Sequence, residues 1–266
     1  MQGLGNDYIY VDTDLYPIEN LEEFAREFSP RRFGIGGDGL VTISLDSSGI
    51  YRMRIFNADG SEALMCGNAI RCVGKFLYER GYVSQEMIDI RTNSGVKHLK
   101  LHVSDNRVGE VTVDMNPPVY IHPEEEITMN DGVVLKGIPV SVGNPHWVSL
   151  QERELKEFPL EEYGPQVELD PRFEDRTNFE VVRILDRGHV EMRVWERGSG
   201  ITWACGTGAC AVAVALIHAG KVDNEVEVSM LGGTLSIRWS GKMEDPILMR
   251  GDAEFVYDGE LFIPKA

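Results

Sequence analysis

Two cysteines in matching surroundings are the residues best suited to chemistry in this sequence. Cys66 and Cys205 are each followed by glycine and a polar residue, Asn68 or Thr207, where an apolar, helix-like segment begins. At a helix N-terminus, unpaired backbone N–H groups and the helix dipole favour the thiolate, which acts as a base or nucleophile. The same N–H groups can hold a carboxylate, and glycine lets a ligand approach the backbone. The pattern therefore indicates thiol chemistry beside an anionic group.

The two cysteine motifs belong to an internal repeat with an offset of 139 residues. Residues 53–81 align without a gap on residues 192–220, and in each copy a strand-like segment ends in an aromatic residue, Phe56 or Trp195. Each copy closes with glycine, the usual C′ residue of a helix. Two halves related by a pseudo-twofold axis would place one thiol on each side of a shared cleft. A base on one face of a carbon and an acid on the other is what inversion of a stereocentre by 1,1-proton transfer requires.

A packing role is the alternative for Cys66 and Cys205, because free cysteine is among the most frequently buried residue types. Their occurrence in two matching helix starts favours the catalytic interpretation. The other cysteines, Cys72 and Cys210, follow the motif cysteines by six and five residues and fall on different helix faces. We predict that these two pack in the core, since the spacing gives poor geometry for a four-cysteine zinc site.

Charge and composition exclude several classes of partner. The 266 residues include 26 Lys and Arg against 43 Asp and Glu, a formal charge of −17, which repels a phosphate backbone and argues against nucleic acid. No apolar run reaches the roughly 18 residues that a membrane helix needs. The first basic residue is Arg26, so no basic leader opens the chain. With four cysteines and no leader, we expect a cytoplasmic protein with free thiols and no membrane contact.

The glycine-rich segment at residues 34–39 formally matches the dinucleotide-binding pattern G-x-G-x-x-G. It precedes a strand-like run, whereas the nucleotide-binding version follows a strand and opens a helix. We interpret it as a tight turn. In the absence of any phosphate-binding or metal-ligand pattern, we expect neither a metal nor another cofactor.

Apolar and alternating segments predict an α+β fold of two pseudo-symmetric domains, each a mostly antiparallel curved sheet or barrel around a central helix. We place the first domain at residues 1–116 and the second at 117–251, with a linker at 115–126, and expect C-terminal strands in 252–266 to return to the first domain. Helices are predicted at residues 21–28, 68–80 and 207–219. Strands are predicted at 8–11, 40–45, 51–56, 96–103, 108–115, 133–142, 179–184, 190–195, 226–230 and 235–239.

Motifs along nearly the whole chain resemble those of the diaminopimelate epimerase family. In order, they lie at residues 3–7 (GLGND), 34–39 (GIGGDG), 56–61 (FNADGS), 65–72 (MCGNAIRC), 143–146 (GNPH), 177–178 (TN), 195–198 (WERG) and 204–210 (ACGTGAC). Proline racemases also use a pair of cysteines as acid and base, but they typically have histidine where this chain has Asn68. The resemblance therefore favours the epimerases.

The resemblance implies a cofactor-independent isomerase that interconverts LL- and meso-2,6-diaminopimelate in lysine and peptidoglycan-precursor biosynthesis. It implies that Cys66 and Cys205 are the acid and base, that His146 and Glu196 tune their pKa values, and that Tyr257 lies at the interface of a homodimer. The implied substrate contacts are Asn6, Asn57, Gly67, Asn68, Asn144, Asn178, Glu196, Arg197, Gly206 and Thr207. Some relatives contact substrate through glutamine where this chain has Gly39.

Two other functions stay open from the residues alone. One is a racemase for a different amino acid, distinguished by the residues that contact the distal end of the substrate. The other is an amino-acid-binding protein on the same scaffold, which would have no turnover to lose when its cysteines are replaced.

Overall fold

The computed structural model describes residues 1–262; residues 263–266, the end of the predicted C-terminal return, lie outside the described part. The four α-helices are α1 (Leu21–Phe28), α2 (Gly67–Glu79), α3 (Leu160–Glu168) and α4 (Gly206–His218), and a 3₁₀ turn covers Leu155–Glu157. The strands are β1 (Gln2–Gly3), β2 (Asn6–Asp7), β3 (Ile9–Asp12), β4 (Gly39–Leu45), β5 (Tyr51–Asn57), β6 (Glu62–Ala63), β7 (Met87–Thr92), β8 (Gly95–Ser104), β9 (Arg107–Asp114), β10 (Tyr120–Ile121), β11 (Glu125–Thr128), β12 (Val134–Ser141), β13 (Pro145–Leu150), β14 (Asn178–Asp186), β15 (His189–Glu196), β16 (Gly200–Thr202), β17 (Glu225–Met230), β18 (Gly233–Arg238) and β19 (Leu248–Asp252).

Most strands join one mixed sheet. Strands β1 and β2 form a separate antiparallel pair, and the other 17 strands are connected by hydrogen bonds without closing into a barrel. The parallel pairs in the described residues are β3 with β4, β5 with β7, β13 with β14 and β15 with β17. The predicted α+β class with a mostly antiparallel sheet is confirmed, in its open rather than its barrel form.

The internal repeat appears in the order of the elements. The series β4–β5–β6–α2–β7–β8–β9 recurs as β14–β15–β16–α4–β17–β18–β19, and both central helices have 13 residues. A parallel strand adds to each series in the same place, β3 beside β4 and β13 beside β14. The two halves are therefore pseudo-equivalent, as the offset of 139 residues predicts.

The last strands of the two series pair with each other. In the β9–β19 ladder, Val111 lies opposite Gly251 and Thr112 opposite Arg250. Under the offset of 139, Val111 corresponds to Arg250 and Thr112 to Gly251, so the repeat exchanges these two pairs. The pseudo-twofold axis therefore passes through this ladder, and the sheet is continuous between the halves. After β19, Glu254 pairs with Gln2 at the start of the chain. The domain boundary at residues 116 and 117 stays a prediction.

The two central helices are largely buried, and for α4 the composition explains why. Apart from its first turn and its C-terminal His218, α4 consists of Ala, Val, Leu, Ile and Cys, so it is apolar on all sides. Glycine in the left-handed region ends both helices, Gly81 with φ 78° and Gly220 with φ 68°, as predicted. No helix in the described residues is long and apolar enough to span a membrane.

Several elements were not predicted from the sequence. Helix α3 carries Gly164 and Pro165 in its interior, two residues that usually argue against a helix. Residues 115–126, predicted as a linker, contain β10 and the beginning of β11. Strand β13 starts at Pro145, inside a segment with the composition of a turn.

Candidate active site

Cys66 and Cys205 are the N-cap residues of α2 and α4, as predicted. The backbone of both is extended, with φ of −136° and −128°. The N–H of Gly208 donates to Cys205 Sγ at 3.3 Å, and the N–H groups of Asn68 and Ala69 favour the ionised form of Cys66. Both thiols are free. Each is therefore held where the positive end of a helix stabilises a thiolate.

The two helix starts meet near the pseudo-twofold axis. The Cα atom of Gly67 lies 3.7 Å from the position that a Cβ on Gly206 would take. Met249 of β19 packs against both glycines: its Cε would lie 2.8 Å from a Cβ on Gly67, and its Sδ 3.1 Å from one on Gly206. Side chains at these positions would push against Met249. Glycine after each cysteine thus lets the two thiol-bearing helix ends converge.

On the Cys66 side, the thiol donates to Asn6 Oδ1 at 3.3 Å, and Asn6 Nδ2 donates to Asp38 Oδ2 at 2.6 Å. Asp38 belongs to the glycine-rich turn, so this motif orients the side chain that contacts the thiol. Burial raises the pKa of Cys66 to about 11; Glu196 adds to this rise, whereas the helix N–H groups and Arg71 oppose it.

On the Cys205 side, a chain of polar side chains leads away from the thiol. Thr207 Oγ1 lies 3.5 Å from Cys205 Sγ and accepts from Asn144 Nδ2 at 3.4 Å. Asn144 Oδ1 lies 3.1 Å from Nε2 of His146. Nδ1 of His146 lies 2.7 Å from Oε1 of Glu180, and both side chains of this pair are 0% exposed. His146 therefore reaches the thiol through Asn144 and Thr207.

Glu180 is a site residue that sequence analysis missed. Its Oε1 would lie 2.8 Å from a Cβ on Gly208, in the first turn of α4, and its Oε2 is buried without a hydrogen-bond partner. Burial raises the pKa of Cys205 well above its usual value, and the charges of Glu196 and Glu180 raise it further. The sequence signal that could have identified Glu180 is its position as the one acidic residue in the predicted strand at residues 179–184.

Glu196 acts on both thiols. It ends β15 and accepts a hydrogen bond from Thr202 Oγ1. Burial raises its own pKa, and the bond from Thr202 partly offsets that rise. Its negative charge raises the pKa of Cys66 and of Cys205. The tuning role that the resemblance gives to Glu196 stays a prediction.

The asparagines predicted to bind substrate have different partners. Asn68 is buried, and its Oδ1 accepts from Arg71 at 3.0 Å. Asn178 donates to the carbonyl of Pro145 at 2.9 Å. Asn57 ends β5, where it donates to Ser61 Oγ at 3.0 Å. Under the repeat Asn57 corresponds to Glu196, so it takes the same place on the Cys66 side.

Arg197 and Tyr257 are exposed and lack contacts with the thiols among the described residues. Arg197 donates to the carbonyl of Asp175 at 2.7 Å, and its backbone N–H donates to Asn178 Oδ1 at 3.0 Å. Tyr257 follows β19 and is 62% exposed. At Gly39 a Cβ would lie 2.1 Å from the carbonyl oxygen of Phe56, so this backbone leaves no room for a side chain.

Glu168 of α3 holds the turn that carries Arg197. It accepts from Trp195 Nε1 at 2.7 Å and from the N–H of Gly198 at 2.9 Å. Sequence analysis missed Glu168 because it did not predict α3. Among the residues that the structure describes, no group of three or more His, Cys, Asp or Glu is placed to hold a metal ion.

Solved structures share this architecture. A Bacillus anthracis phenazine biosynthesis protein of the PhzF family matches with a TM-score of 0.75 and 18% identity, over 99% of this chain and 95% of that one. A hydroxyproline epimerase from Agrobacterium vitis matches with a TM-score of 0.69 and 14% identity, over 94% and 86%. The protein thus shares the fold of these structures. In this chain, a thiol lies at the start of each central helix.

Sequence comparison specifies the family. The family model described as Diaminopimelate epimerase matches residues 1–121 and 138–256. The diaminopimelate epimerase of Bacteroides thetaiotaomicron is 48% identical over 261 residues, 98% of this chain and 96% of that protein. That of Methanococcus maripaludis strain C6 is 46% identical over 275 residues, 99% and 98%. The chain belongs to the diaminopimelate epimerase family.

Proposed function

We propose that this protein is an isomerase that interconverts LL- and meso-2,6-diaminopimelate, and that Cys66 and Cys205 transfer the protons. The observation that carries the proposal is that two thiols, one from each pseudo-equivalent half, cap adjoining helices. The names of the relatives supply the substrate. The reaction belongs to lysine and peptidoglycan-precursor biosynthesis.

In each turnover one thiolate removes the α-proton and becomes a thiol. The electron pair of the broken C–H bond stays on the α-carbon and spreads into the adjacent carboxylate. The other thiol then donates its proton to the opposite face, which inverts the stereocentre and leaves that sulfur as the thiolate. Atoms and charge balance without a cofactor, and the reverse reaction begins with the roles of Cys66 and Cys205 exchanged.

The substrate contacts follow from the polar groups around the thiols. The helix N–H groups suit the reacting carboxylate, and Glu196 suits an ammonium group. The exposed guanidinium of Arg197 suits a carboxylate. We propose that the substrate is held by Asn6, Asn57, Gly67, Asn68, Asn144, Asn178, Glu196, Arg197, Gly206 and Thr207.

Positioned acid–base groups accelerate proton transfer by about 10² to 10⁴, and a helix terminus contributes about 0.3 to 2 kcal/mol. These contributions are too small to account for the rate acceleration needed to remove an unactivated α-proton. We therefore propose that the two halves, divided near residue 116, close over the substrate and exclude water. Small-angle scattering would show a smaller radius of gyration with substrate; an unchanged radius would contradict closure.

Proton NMR in D₂O with reduced protein and LL-diaminopimelate tests the reaction. We expect α-deuterium incorporation with formation of the meso product, and loss of both in Cys66→Ser and in Cys205→Ser. Cys210→Ala is the matched control, because this buried thiol lies one turn inside α4, and it should retain exchange. No exchange in the unmodified protein would direct the search to another amino acid or to a binding protein.

We further propose a cytoplasmic homodimer with Tyr257 in its interface. Tyr257 and Val256 are large exposed residues of the segment after β19, which a partner subunit would cover. Sedimentation equilibrium should give a dimer mass for the unmodified chain and a weaker dimer for Tyr257→Ala. A monomer in both would contradict the proposal.

A further inference from the structure

A buried guanidinium lies directly behind the Cys66 helix start. Arg71 of α2 is 0% exposed. Its Nη1 donates to the carbonyl of Gly67 at 3.2 Å and to Asn68 Oδ1 at 3.0 Å, and its Nε donates to the carbonyl of Asp252 at 2.8 Å. Arg71 therefore fastens the two residues after Cys66 to the end of β19.

This cation has no ion-pair partner within the described residues. None of their carboxylate oxygens lies within 4.0 Å of it, and Nη2 is buried without a hydrogen-bond partner. Arginine stays protonated even when buried, so the site holds a positive charge that no carboxylate neutralises at contact distance. Burying such a charge is unfavourable by several kcal/mol. The groups whose negative charge would stabilise it include Cys72, Asp252 and Cys66, and of these Cys66 is the one in the candidate site.

This buried positive charge is present in only one of the two repeats. Arg71 corresponds to Cys210 under the offset of 139, so α4 has no cation in the same place. Cys205 instead faces the two carboxylates Glu196 and Glu180. Both thiols lie at helix N-caps and both are near Glu196, but the further buried charge is Arg71 at Cys66 and Glu180 at Cys205.

We propose that Arg71 is a positioning residue that makes Cys66, rather than Cys205, the thiol that ionises first. The inference rests on the proposed function, since it assigns the base of the first half-reaction. The groups that face Cys66 are Tyr8 just before β3, Tyr10 within β3, Asp38 through Asn6, Glu196 from β15 and Arg71 from α2. Arg71 is the positive member of this set.

Alkylation by iodoacetamide as a function of pH tests the proposal without substrate. Peptide mass spectrometry follows Cys66 and Cys205 separately, and the midpoint of each pH profile reports ionisation independently of how accessible the thiol is. In the unmodified protein the Cys66 midpoint should lie below that of Cys205. Because this measurement needs no turnover, its failure is distinct from failure of the epimerisation test.

Variants separate the charge from the packing role. Arg71→Met keeps much of the side-chain volume without charge and should raise the Cys66 midpoint by about one pH unit or more, hence about tenfold slower alkylation at neutral pH. Arg71→Lys keeps the charge and should move the midpoint back towards that of the unmodified protein. A Cys205 midpoint at or below that of Cys66, or a folded Arg71→Met with an unchanged profile, overturns the proposal. If Arg71→Met does not fold, the order of midpoints in the unmodified protein and in Arg71→Lys decides.

Discussion

Gly67 and Gly206 touch across the pseudo-twofold axis, with Gly67 Cα 3.7 Å from the position of a Cβ on Gly206. Each glycine follows a thiol and begins a buried helix. The thiols are therefore attached to two rigid elements in mutual contact rather than to loops. Acid–base pairs gain their effect from such fixed geometry.

Glu180→Gln should lower the pKa of Cys205, because it removes one of the two carboxylate charges that oppose the thiolate. Glutamine still offers an oxygen to His146. We expect the alkylation midpoint of Cys205 to fall by about one pH unit. Glu227→Gln, on strand β17 at the far side of β15 from β14, is the control and should leave the midpoint in place. A Cys205 midpoint that rises in Glu180→Gln would refute this account of the site.

Cys210→Ala should make the protein less sensitive to alkali. Burial raises the pKa of Cys210 from 9.0 to about 12. A folded-state pKa above the unfolded value means that this thiol stabilises the fold fully below pH 9.0, and that this contribution falls by about 1.4 kcal/mol per pH unit as the pH rises from there towards 12.

Urea denaturation at pH 8, 9.5 and 10.5 measures this effect. The free energy of unfolding of Cys210→Ala should start lower, because the buried sulfur is lost, and then approach and pass that of the unmodified protein as the pH rises. Val214→Ala, a buried change on the same helix without a titrating group, should keep a constant deficit. A parallel course for Cys210→Ala would contradict the prediction.

Gly39→Ala should destabilise the protein, because the added methyl would lie 2.1 Å from the carbonyl oxygen of Phe56. Such backbone overpacking costs about 1 to 3 kcal/mol. Gly109→Ala is the matched control on an exposed strand position, since a Cβ there meets no atom within 4 Å. Thermal melting should show a lower Tm for Gly39→Ala alone, and equal melting temperatures would show that the backbone adjusts.

Glu168→Ala should loosen the turn that carries Arg197. The change leaves Trp195 Nε1 and the N–H of Gly198 without their acceptor, and the loss of each of these part-buried hydrogen bonds costs about 1 kcal/mol. We expect a lower free energy of unfolding and, if Arg197 binds substrate, a raised KM for diaminopimelate. Glu174→Ala, at an exposed position, should change neither quantity. Unaltered stability in Glu168→Ala would mean that water replaces the carboxylate.

The sequence predicted those features that depend on local pattern. Helix α1 spans the predicted residues, with Asn20 as an N-cap whose side chain accepts from the N–H of Glu23. The starts of α2 and α4 follow from the two Cys-Gly pairs, and the repeat from their offset. These signals are local because helix ends and apolar periodicity are properties of neighbouring residues.

Contacts between residues on different strands could not be predicted from the sequence pattern. His146 and Glu180 meet because β13 and β14 run parallel with His146 opposite Asn178, a register that no single strand encodes. Arg71 donates to the carbonyl of Asp252 because β19 passes beside α2, a contact between residues 181 positions apart in the chain. A charged residue inside an apolar segment was the signal in both cases, and its partners required the fold.

The ladder between β9 and β19 can form only late in the synthesis of this part of the chain. A ribosome completes β9 at Asp114 long before Leu248 emerges, so one edge of β9 lacks its final partner for on the order of ten seconds. An unpaired edge is a template for pairing with the wrong strand. The nascent first half therefore exposes this edge until β19 has been made, and Met249 reaches the two glycines only then.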